Sequence, residues 1–187
     1  SYYYKKGDFK KAIILGEKLK TKLNKKDSEY ALLANYLATA YSRIGEDEKA
    51  IQNYIEELNI EKNIFGENHI IIAKTYRNLG NTYSRLKEFD KAEAHFLKGI
   101  NIVKNTSGIS HPEYPEYLLN LAVLYKEIKD FKRAETLFLE ACDLLKNNLG
   151  ENNLKYQIGL LSTAIFYDQI GDLQKADELF LKSYQLQ

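Results

Sequence analysis

The sequence predicts an all-α protein, a solenoid of stacked antiparallel helix pairs with about nine helices. Apolar residues recur at the i, i+3 and i+4 spacing that marks one face of a helix. No stretch shows the alternation with period two that is expected of strands. A four-position pattern also repeats every 42 residues, as from Gly80 to Ala122. A repeat of about 20–50 residues is the signature of a stacked repeat protein.

The repeated pattern is a small residue followed by a tyrosine, an alanine and an aromatic residue. The four copies are Ala38, Tyr41, Ala50 and Tyr54; Gly80, Tyr83, Ala92 and Phe96; Ala122, Tyr125, Ala134 and Phe138; and Ala164, Tyr167, Ala176 and Phe180. We expect the small residues where the two helices of a pair cross, and the tyrosines between neighbouring repeats. One repeat cannot bury both of its apolar faces, so stacking must stabilise the array.

The helices are expected in chain order between glycine-containing joints. A last helical turn at residues 1–6 is followed by Gly7, which ends it, and by Asp8, which caps the next helix. Later helices are expected at 29–44 (capped by Asp27 or Ser28), 47–63, 70–86, 89–105, 113–128, 131–148, 154–170 and 173–187. Three glycines recur 42 residues apart and are expected to end helices in a left-handed conformation: Gly66, Gly108 and Gly150.

The chain divides into one partial and four full repeats that form a single array over residues 1–187. The expected boundaries are 1–27 for the partial repeat and 28–66, 67–108, 109–150 and 151–187 for the others. Because the chain lacks an initiator methionine and Ser1 falls inside a repeat, we expect it to be a fragment of a longer protein.

Composition argues against several functions. Lys and Arg total 27 against 26 Asp and Glu, so the net charge of +1 favours neither nucleic acid nor a membrane as partner. No apolar run approaches the roughly 20 residues that span a bilayer. The lone cysteine, Cys142, fits a cytoplasmic location. No nucleophile–base set, phosphate-binding loop or metal-ligand cluster is present, so we predict no enzyme activity, cofactor or metal site.

The histidines and the cysteine are interpreted as structural. His69 and His111 each follow a joint glycine by three residues, and Asn153 takes that place in the next copy. A role as a helix cap or in the turn before the following helix explains all three residues. Cys142 stands where other copies have leucine, isoleucine or tyrosine, which indicates a packing position.

The repeated residues resemble the tetratricopeptide repeat (TPR), whose common period is 34 residues. The 42-residue period, the joint Leu149–Asn152 and the segment Asn120–Tyr125 are more similar to the long repeats of kinesin light chains. Bacterial proteins carry similar arrays, often before a caspase-like CHAT domain or another effector. The resemblance covers essentially the whole chain and implies a right-handed superhelix.

The resemblance also implies a concave groove, lined by first helices, that binds a peptide or protein segment. Carrying the family's groove positions over gives Asn35, Arg43, Lys74, Arg77, Asn78, Asn81, Arg85, Leu119, Asn120, Val123, Lys126, Leu161 and Ile165. The first half of this set is polar and basic, and the second half presents apolar residues. A partner segment with acidic residues at one end and apolar anchors at the other would suit both halves.

Three interpretations of the groove remain open at this stage. The leading one is a non-catalytic protein–protein interaction scaffold. The second is a regulatory or sensor segment that controls an attached effector domain, such as a CHAT protease. The third is a co-chaperone-like site for a C-terminal carboxylate: Arg77, Asn81 and Asn120 fit part of that set, but Ile158 and Ser162 stand where basic residues should be.

Overall fold

The protein is described by a computed structural model over residues 2–186, and every regular element in that range is a helix. The helices are α1 (Tyr2–Lys5), α2 (Phe9–Lys20), α3 (Ser28–Arg43), α4 (Asp47–Phe65), α5 (Ile70–Arg85), α6 (Phe89–Ser107), α7 (Tyr114–Glu127), α8 (Phe131–Leu149), α9 (Leu154–Ile170) and α10 (Leu173–Gln185). The short α1 is the predicted last turn. Within the described range, the nine helices after it confirm the predicted all-α class.

The chain divides into two compact units, with the boundary inside α6. Unit 1 runs to Ile102 and unit 2 begins at Val103. In unit 1, α3 pairs with α4, and these helices pack against α2 on one side and α5 on the other. In unit 2, α7 pairs with α8 and α9 pairs with α10, while α8 packs against α9. Short connections make the helices of each pair antiparallel neighbours.

The small residues of the repeat are buried in both units, as predicted. Ala38, Ala50 and Ala92 of unit 1 and Ala122, Ala134 and Ala164 of unit 2 are fully buried. At Gly80 the α5–α6 pair is tightly packed, because a Cβ atom there would lie 2.6 Å from the ring of Phe96. A side chain at position 80 would therefore force the α5–α6 pair apart.

The tyrosines connect neighbouring repeats within each unit. The hydroxyl of Tyr41 on α3 donates to Oε1 of Glu17 on α2 at 3.0 Å. In unit 2 the hydroxyl of Tyr167 on α9 donates to Oε1 of Glu135 on α8 at 2.7 Å. Burial first, then the adjacent carboxylate, raises the pKa of each of these two tyrosines to about 12. These two contacts confirm the predicted position of the tyrosine series.

A further repeated contact surrounds each of these tyrosines. An acidic residue at the start of each second helix pairs with a basic residue three positions later, and that base lies over the ring of the tyrosine. The sets are Tyr3, Asp8 and Lys11; Tyr41, Glu46 and Lys49; Tyr83, Glu88 and Lys91; Tyr125, Asp130 and Arg133; and Tyr167, Asp172 and Lys175. The sequence analysis missed this pattern, although the acid and the base recur with the tyrosine.

The joints between helices use backbone with positive φ. Gly66 and Gly150 have φ of 82° and 84°, as predicted, but ψ of 165° and 163° places them in the mirror-extended region and not in the left-handed helical one. Gly45 and Gly171 also have positive φ. Asp27 occupies the N-cap position of α3 without a side-chain capping bond.

Two joints have lysine where the others have glycine. Lys87 and Lys129 take φ of 59° and 63°. They occupy the place of Gly45 and Gly171, at a spacing of 42 residues. Left-handed backbone of this kind is sterically unfavourable for a residue with a Cβ atom.

Candidate functional site

A polar cavity of about 490 Å³ opens on the first helices of unit 1. It is lined by Thr39, Ser42, Arg43, Tyr54, Asn78, Asn81 and Arg85. Four of the predicted groove residues, two arginines and two asparagines, therefore surround one space. The carboxamides of Asn78 and Asn81 on α5 can each both donate and accept a hydrogen bond.

Arg85 is already bound within this cavity. Its Nε lies 3.2 Å from both carboxylate oxygens of Asp47, and its Nη2 lies 2.7 Å from Oδ1 of the same residue. The same Nη2 donates to Oγ of Ser42 at 2.6 Å. Because Asp47 is buried and offsets the charge of Arg85, this half of the groove is less basic than the sequence predicted.

Asp47 could have been found from the repeat. The equivalent positions in the other copies hold Phe9, Phe89, Phe131 and Leu173. An aspartate in a series of apolar residues is a departure that needs a partner. The partner, Arg85, is 38 residues away, so the sequence alone could not identify it.

A second cavity of about 180 Å³ lies among α3, α4 and α5. Two of the predicted residues, Asn35 and Lys74, line it together with two glutamates that the sequence analysis did not select, Glu57 and Glu61. Glu57 is 5% exposed and Glu61 is 6% exposed. Nδ2 of Asn35 donates to Oε2 of Glu57 at 3.0 Å. Oγ1 of Thr75 donates to Oε2 of Glu61 at 2.8 Å.

Burial is the main cause of the unusual proton affinity of both glutamates. It raises the pKa of Glu57 to about 8, while the bond from Asn35 opposes the shift and the negative charge of Glu61 adds to it. Burial also raises the pKa of Glu61, against the hydrogen bond from Thr75 and the positive charge of Lys74. At neutral pH the protonated form of Glu57 therefore predominates in the folded protein.

The two glutamates also depart from the repeat. Equivalent positions hold Gly99, Ala141 and Ser183 in place of Glu57, and Val103 and Leu145 in place of Glu61. Neither glutamate belongs to the four-position pattern by which the repeats were recognised. Aligning every position of the second helices would have revealed them.

Unit 2 exposes apolar side chains on its first helices, α7 and α9. Val123 is 39% exposed, Leu161 is 36% exposed and Ile165 is 46% exposed. Leu119 is half-buried and packs against the core cluster of Cys142, Leu145, Tyr156 and Leu160. A bond of 2.6 Å from Nζ of Lys155 on α9 to Oε1 of Glu116 on α7 holds these two helices side by side. The predicted apolar face is therefore present at the surface of unit 2.

The remaining predicted groove residues are less accessible. Arg77 is half-buried on α5 and is not among the residues that line the two cavities. Asn120 is half-buried on α7. The side chain of Lys126 is mostly buried, and its Nζ lies 3.4 Å from Oε1 of Glu127.

His69, His111 and Cys142 have the structural roles that the sequence predicted: His69 and Asn153 are the N-caps of α5 and α9, and His111 lies in the turn before α7. Nδ1 of His69 accepts from the backbone N–H of Ile71 at 3.3 Å. The equivalent bonds run at 3.3 Å from the N–H of Glu113 to His111 and at 2.9 Å from the N–H of Lys155 to Asn153. Cys142 is buried, with its Sγ 3.3 Å from Oγ1 of Thr163, and burial raises the pKa of its thiol.

Within residues 2–186, no group of three or more His, Cys, Asp or Glu side chains is arranged to hold a metal ion. In the same range no helix combines the length and apolar character needed to cross a membrane.

These features define an α-helical repeat protein whose first helices present polar cavities in one unit and an apolar face in the other. The sequence profile of the tetratricopeptide repeat matches residues 29–105 and 85–147, more than half of the chain. The chain belongs to the tetratricopeptide repeat family. No curated protein matches it by sequence.

Solved structures show the same fold along nearly the whole chain. BtubC (BKLC) from P. vanneervenii is 23% identical with a TM-score of 0.81, over 98% of this chain and 75% of that one. The nearly identical TPR-like repeats of a putative kinesin light chain from Podosopora anserina are 18% identical with a TM-score of 0.81, over 99% and 90%. MamA is 18% identical with a TM-score of 0.65, over 99% and 92%. The kinesin-light-chain-like TPR fold predicted from the sequence is confirmed.

Proposed function

We propose that this chain is a non-catalytic scaffold that binds an extended segment of another protein along its first helices. The observation that carries the proposal is the exposed apolar face of unit 2, formed by Val123, Leu161 and Ile165. Neighbouring exposed apolar side chains on a folded protein mark a contact surface. The folding of unit 2 does not require them, because its core is formed by other residues.

Unit 1 has hydrogen-bonding groups of its own that suit a bound segment. Asn78 and Asn81 line the 490 Å³ cavity and offer carboxamides that pair with the backbone of an extended segment. Arg43, also in this cavity, adds a positive charge near a partner's polar groups. Exposed ion pairs contribute only about 0–1 kcal/mol each, so apolar anchors in unit 2 must supply much of the affinity.

The net charge supports a protein partner, and the lone cysteine supports a cytoplasmic location. The net charge of +1 favours a protein partner over nucleic acid or a membrane surface. Cys142 is a buried free thiol, in keeping with a cytoplasmic location. We expect an affinity in the micromolar range, about −8 kcal/mol.

The apolar face can be tested with the double variant Leu161→Asn/Ile165→Asn. The full chain is immobilised, extracts of its source cells are passed over it, and bound proteins are identified by mass spectrometry. Proteins retained by the wild type should be lost from the variant. Leu139→Asn is the matched control, because Leu139 is similarly exposed but lies on the second helix α8. The same proteins retained by all three forms would contradict the proposal.

The contribution of unit 1 needs a separate variant. Arg43→Glu combined with Asn81→Ala should weaken binding of the captured partner at least tenfold in a calorimetric titration, with unchanged helix content by circular dichroism. Unchanged affinity would remove unit 1 from the binding site and leave unit 2.

The alternative partner is an effector domain on the same polypeptide, such as a CHAT protease. A domain of this kind would occupy the same face. In that case, adding the purified effector domain in trans should shift the amide resonances of Val123 and Ile165. The Leu161→Asn/Ile165→Asn variant would release the activity of the linked domain.

A further inference from the structure

We propose that the cavity among α3, α4 and α5 is a receptor for one basic side chain, a lysine or arginine of the bound segment. The inference rests on the proposed scaffold function and specifies the chemistry of its partner. It also replaces, for this cavity, the acidic ligand that the sequence favoured for the first half of the groove.

The first argument is that, in the part of the chain that the structure describes, the two buried carboxyl groups of the cavity receive hydrogen bonds only from neutral side chains, Asn35 and Thr75. The bonds from Asn35 and Thr75 reach Oε2 of Glu57 and Oε2 of Glu61. The single hydroxyl of Thr75 acts on both carboxyl groups, because hydrogen bonding from Thr75 also lowers the pKa of Glu57. Glu57 is more than nine-tenths buried and lines the cavity. Asn35 and Thr75 are neutral donors, and a cationic donor brought by a ligand would form stronger bonds with these carboxylates.

The second argument is charge. The ionisable groups that line the cavity are Glu57 and Glu61 on α4 and Lys74 on α5, while α3 contributes the neutral Asn35. Tyr54 on α4 also faces Glu57, whose negative charge contributes to raising the pKa of that tyrosine, after burial. With both carboxylates ionised, the two negative charges of the glutamates exceed the single positive charge of Lys74 by one. In the unoccupied protein a proton on Glu57 makes up the difference, and an organic cation would take its place.

The third argument is shape. The cavity of about 180 Å³ combines the two carboxyl groups with apolar walls. Those walls are formed by Ala31, Leu32, Ile64, Phe65 and Ile71. Lysine and arginine have the matching construction, an apolar stem that ends in a cationic donor group. The apolar walls would add nothing to the binding of an inorganic cation, and the glutamates would repel an anion.

The fourth argument is that the fold does not require these glutamates. The equivalent residues of unit 2 are Ala141 and Leu145, both fully buried in an apolar core. Replacing buried charged groups by well-packed apolar ones is often neutral or stabilising. Two glutamates retained at positions that can be apolar indicate a binding role.

Occupation of the site by a cation is coupled to proton release. A cation binds the ionised form of Glu57, whose pKa in the unoccupied protein is about 8. Affinity should therefore rise with pH, by up to about tenfold per unit below that pKa, and level off above it. Lys74 and Glu61 also face Glu57. The negative charge of Glu61 raises the pKa of Glu57, and the positive charge of Lys74 lowers it.

N-butylguanidinium chloride is the probe, and N-butylurea is its uncharged counterpart. Each is titrated into the full ¹⁵N-labelled chain, and amide shifts of Leu32, Asn35 and Ile64 are followed. The cation should shift these resonances, with a Kd on the order of tenfold lower at pH 8.5 than at pH 6.5. The urea should bind at least tenfold more weakly. Equal binding of the two probes would overturn the proposal. So would the absence of any shift with the cation at 50 mM, a concentration on the order of the weakest useful fragment affinity.

Variants assign the effect to the cavity. Glu57→Gln keeps the shape of the side chain and should abolish both the cation binding and its pH dependence. Glu48→Gln is the matched control, because Glu48 is an exposed glutamate on the same helix and should leave the titration unchanged. Unaltered cation binding by Glu57→Gln would overturn the proposal, provided that circular dichroism shows the variant folded.

The outcomes distinguish this inference from the scaffold proposal. If the cation fails to bind while capture of a partner still depends on Leu161 and Ile165, the scaffold function stands and the basic anchor is wrong. If the cation binds but no partner depends on those residues, the cavity is a cation site without the proposed scaffold.

Discussion

Units 1 and 2 use one structural position in opposite ways. In unit 1, Glu57 and Glu61 of α4 face Lys74 and Thr75 of α5 around an open cavity. Adding 84 to each number gives the unit 2 residues Ala141, Leu145, Ile158 and Gly159. There Leu145 fills the space, and a Cβ atom at Gly159 would lie 2.9 Å from its Cδ1. One helix arrangement thus holds a polar cavity in one unit and a packed apolar core in the other.

This difference separates what stability needs from what binding needs. In a repeat array, stability is close to a sum of the terms within repeats and between neighbours. One position can therefore depart from the apolar pattern if the remaining contacts of its repeat are kept. Unit 1 keeps its small residues and its tyrosine contact while α4 carries buried carboxyl groups.

The largest effect is expected from transferring the unit 1 residue to unit 2. Ala141→Glu would bury a carboxyl group in an apolar core without the partners of Glu57, and should lower the free energy of unfolding by about 3–5 kcal/mol. Urea denaturation followed by circular dichroism measures the loss. Ala94→Glu at an exposed position is the control and should change the value by less than about 0.5 kcal/mol. A loss below about 1 kcal/mol at position 141 would show that the two positions tolerate a carboxyl group equally.

The second prediction concerns pH. The folded-state pKa of Glu57, about 8, lies above the ordinary value of 4.5, so its protonated form favours folding. This stability is fully present below pH 4.5 and is lost as pH rises toward 8. The slope is about 1.4 kcal/mol per unit, or roughly 3 kcal/mol between pH 5 and 7. Glu57→Gln should make this slope shallower in denaturation curves measured at several pH values and leave the part that the raised pKa of Glu61 contributes, whereas Glu48→Gln should keep the whole slope. Parallel pH profiles for the wild type and Glu57→Gln would be incompatible with a buried, protonated Glu57.

The third prediction compares the helix crossings of the two units. Gly80→Ala in unit 1 would place a Cβ atom 2.6 Å from Phe96, and the overpacking should cost about 1–3 kcal/mol. The higher helix propensity of alanine should offset up to about 1 kcal/mol of this cost. Ala122 is the equivalent residue in unit 2, and Ala122→Gly should cost about 1 kcal/mol from propensity alone. Thermal melts of both variants check the comparison. A Gly80→Ala protein more stable than the wild type would show that α5 and α6 can separate freely.

The smallest effect is expected at the joints, where the units are alike. Lys87 in unit 1 and Lys129 in unit 2 adopt the positive φ that glycine takes at the other joints. Lys87→Gly and Lys129→Gly should each stabilise the protein by about 0.5–1 kcal/mol, because glycine avoids the steric cost of left-handed backbone. Gly45→Ala is the reverse control and should destabilise by a similar amount. Denaturation midpoints that fall in the two glycine variants would contradict this explanation.

Particular residues show where prediction from the sequence succeeded. Tyr41 and Tyr167 were placed between repeats, and their hydroxyl groups reach the preceding helix. His69 and His111 were placed at helix starts, where they accept backbone bonds. These roles depend on neighbours within one or two helices, which a repeat spacing encodes directly.

The candidate site was predicted less completely. Three of the four apolar residues selected in unit 2, Val123, Leu161 and Ile165, are exposed, whereas Leu119 packs against the core. Asp47, Glu57 and Glu61 were missed, because they lie on a second helix that the family groove positions do not include. Because Arg85 is bound directly to Asp47, the first half of the predicted groove is also less basic than the sequence indicated.

By itself, the sequence determined the helices, their pairing and the family, because helix formation and nearest-neighbour stacking depend on the local spacing of small and apolar residues. Only the tertiary structure decided that Glu57 and Glu61 share a cavity with Asn35 and Lys74, residues of the helices on either side. The reason is physical: burial and the resulting rise in the pKa of Glu57 depend on the distance and angle between three helices, and no spacing along the chain specifies those quantities.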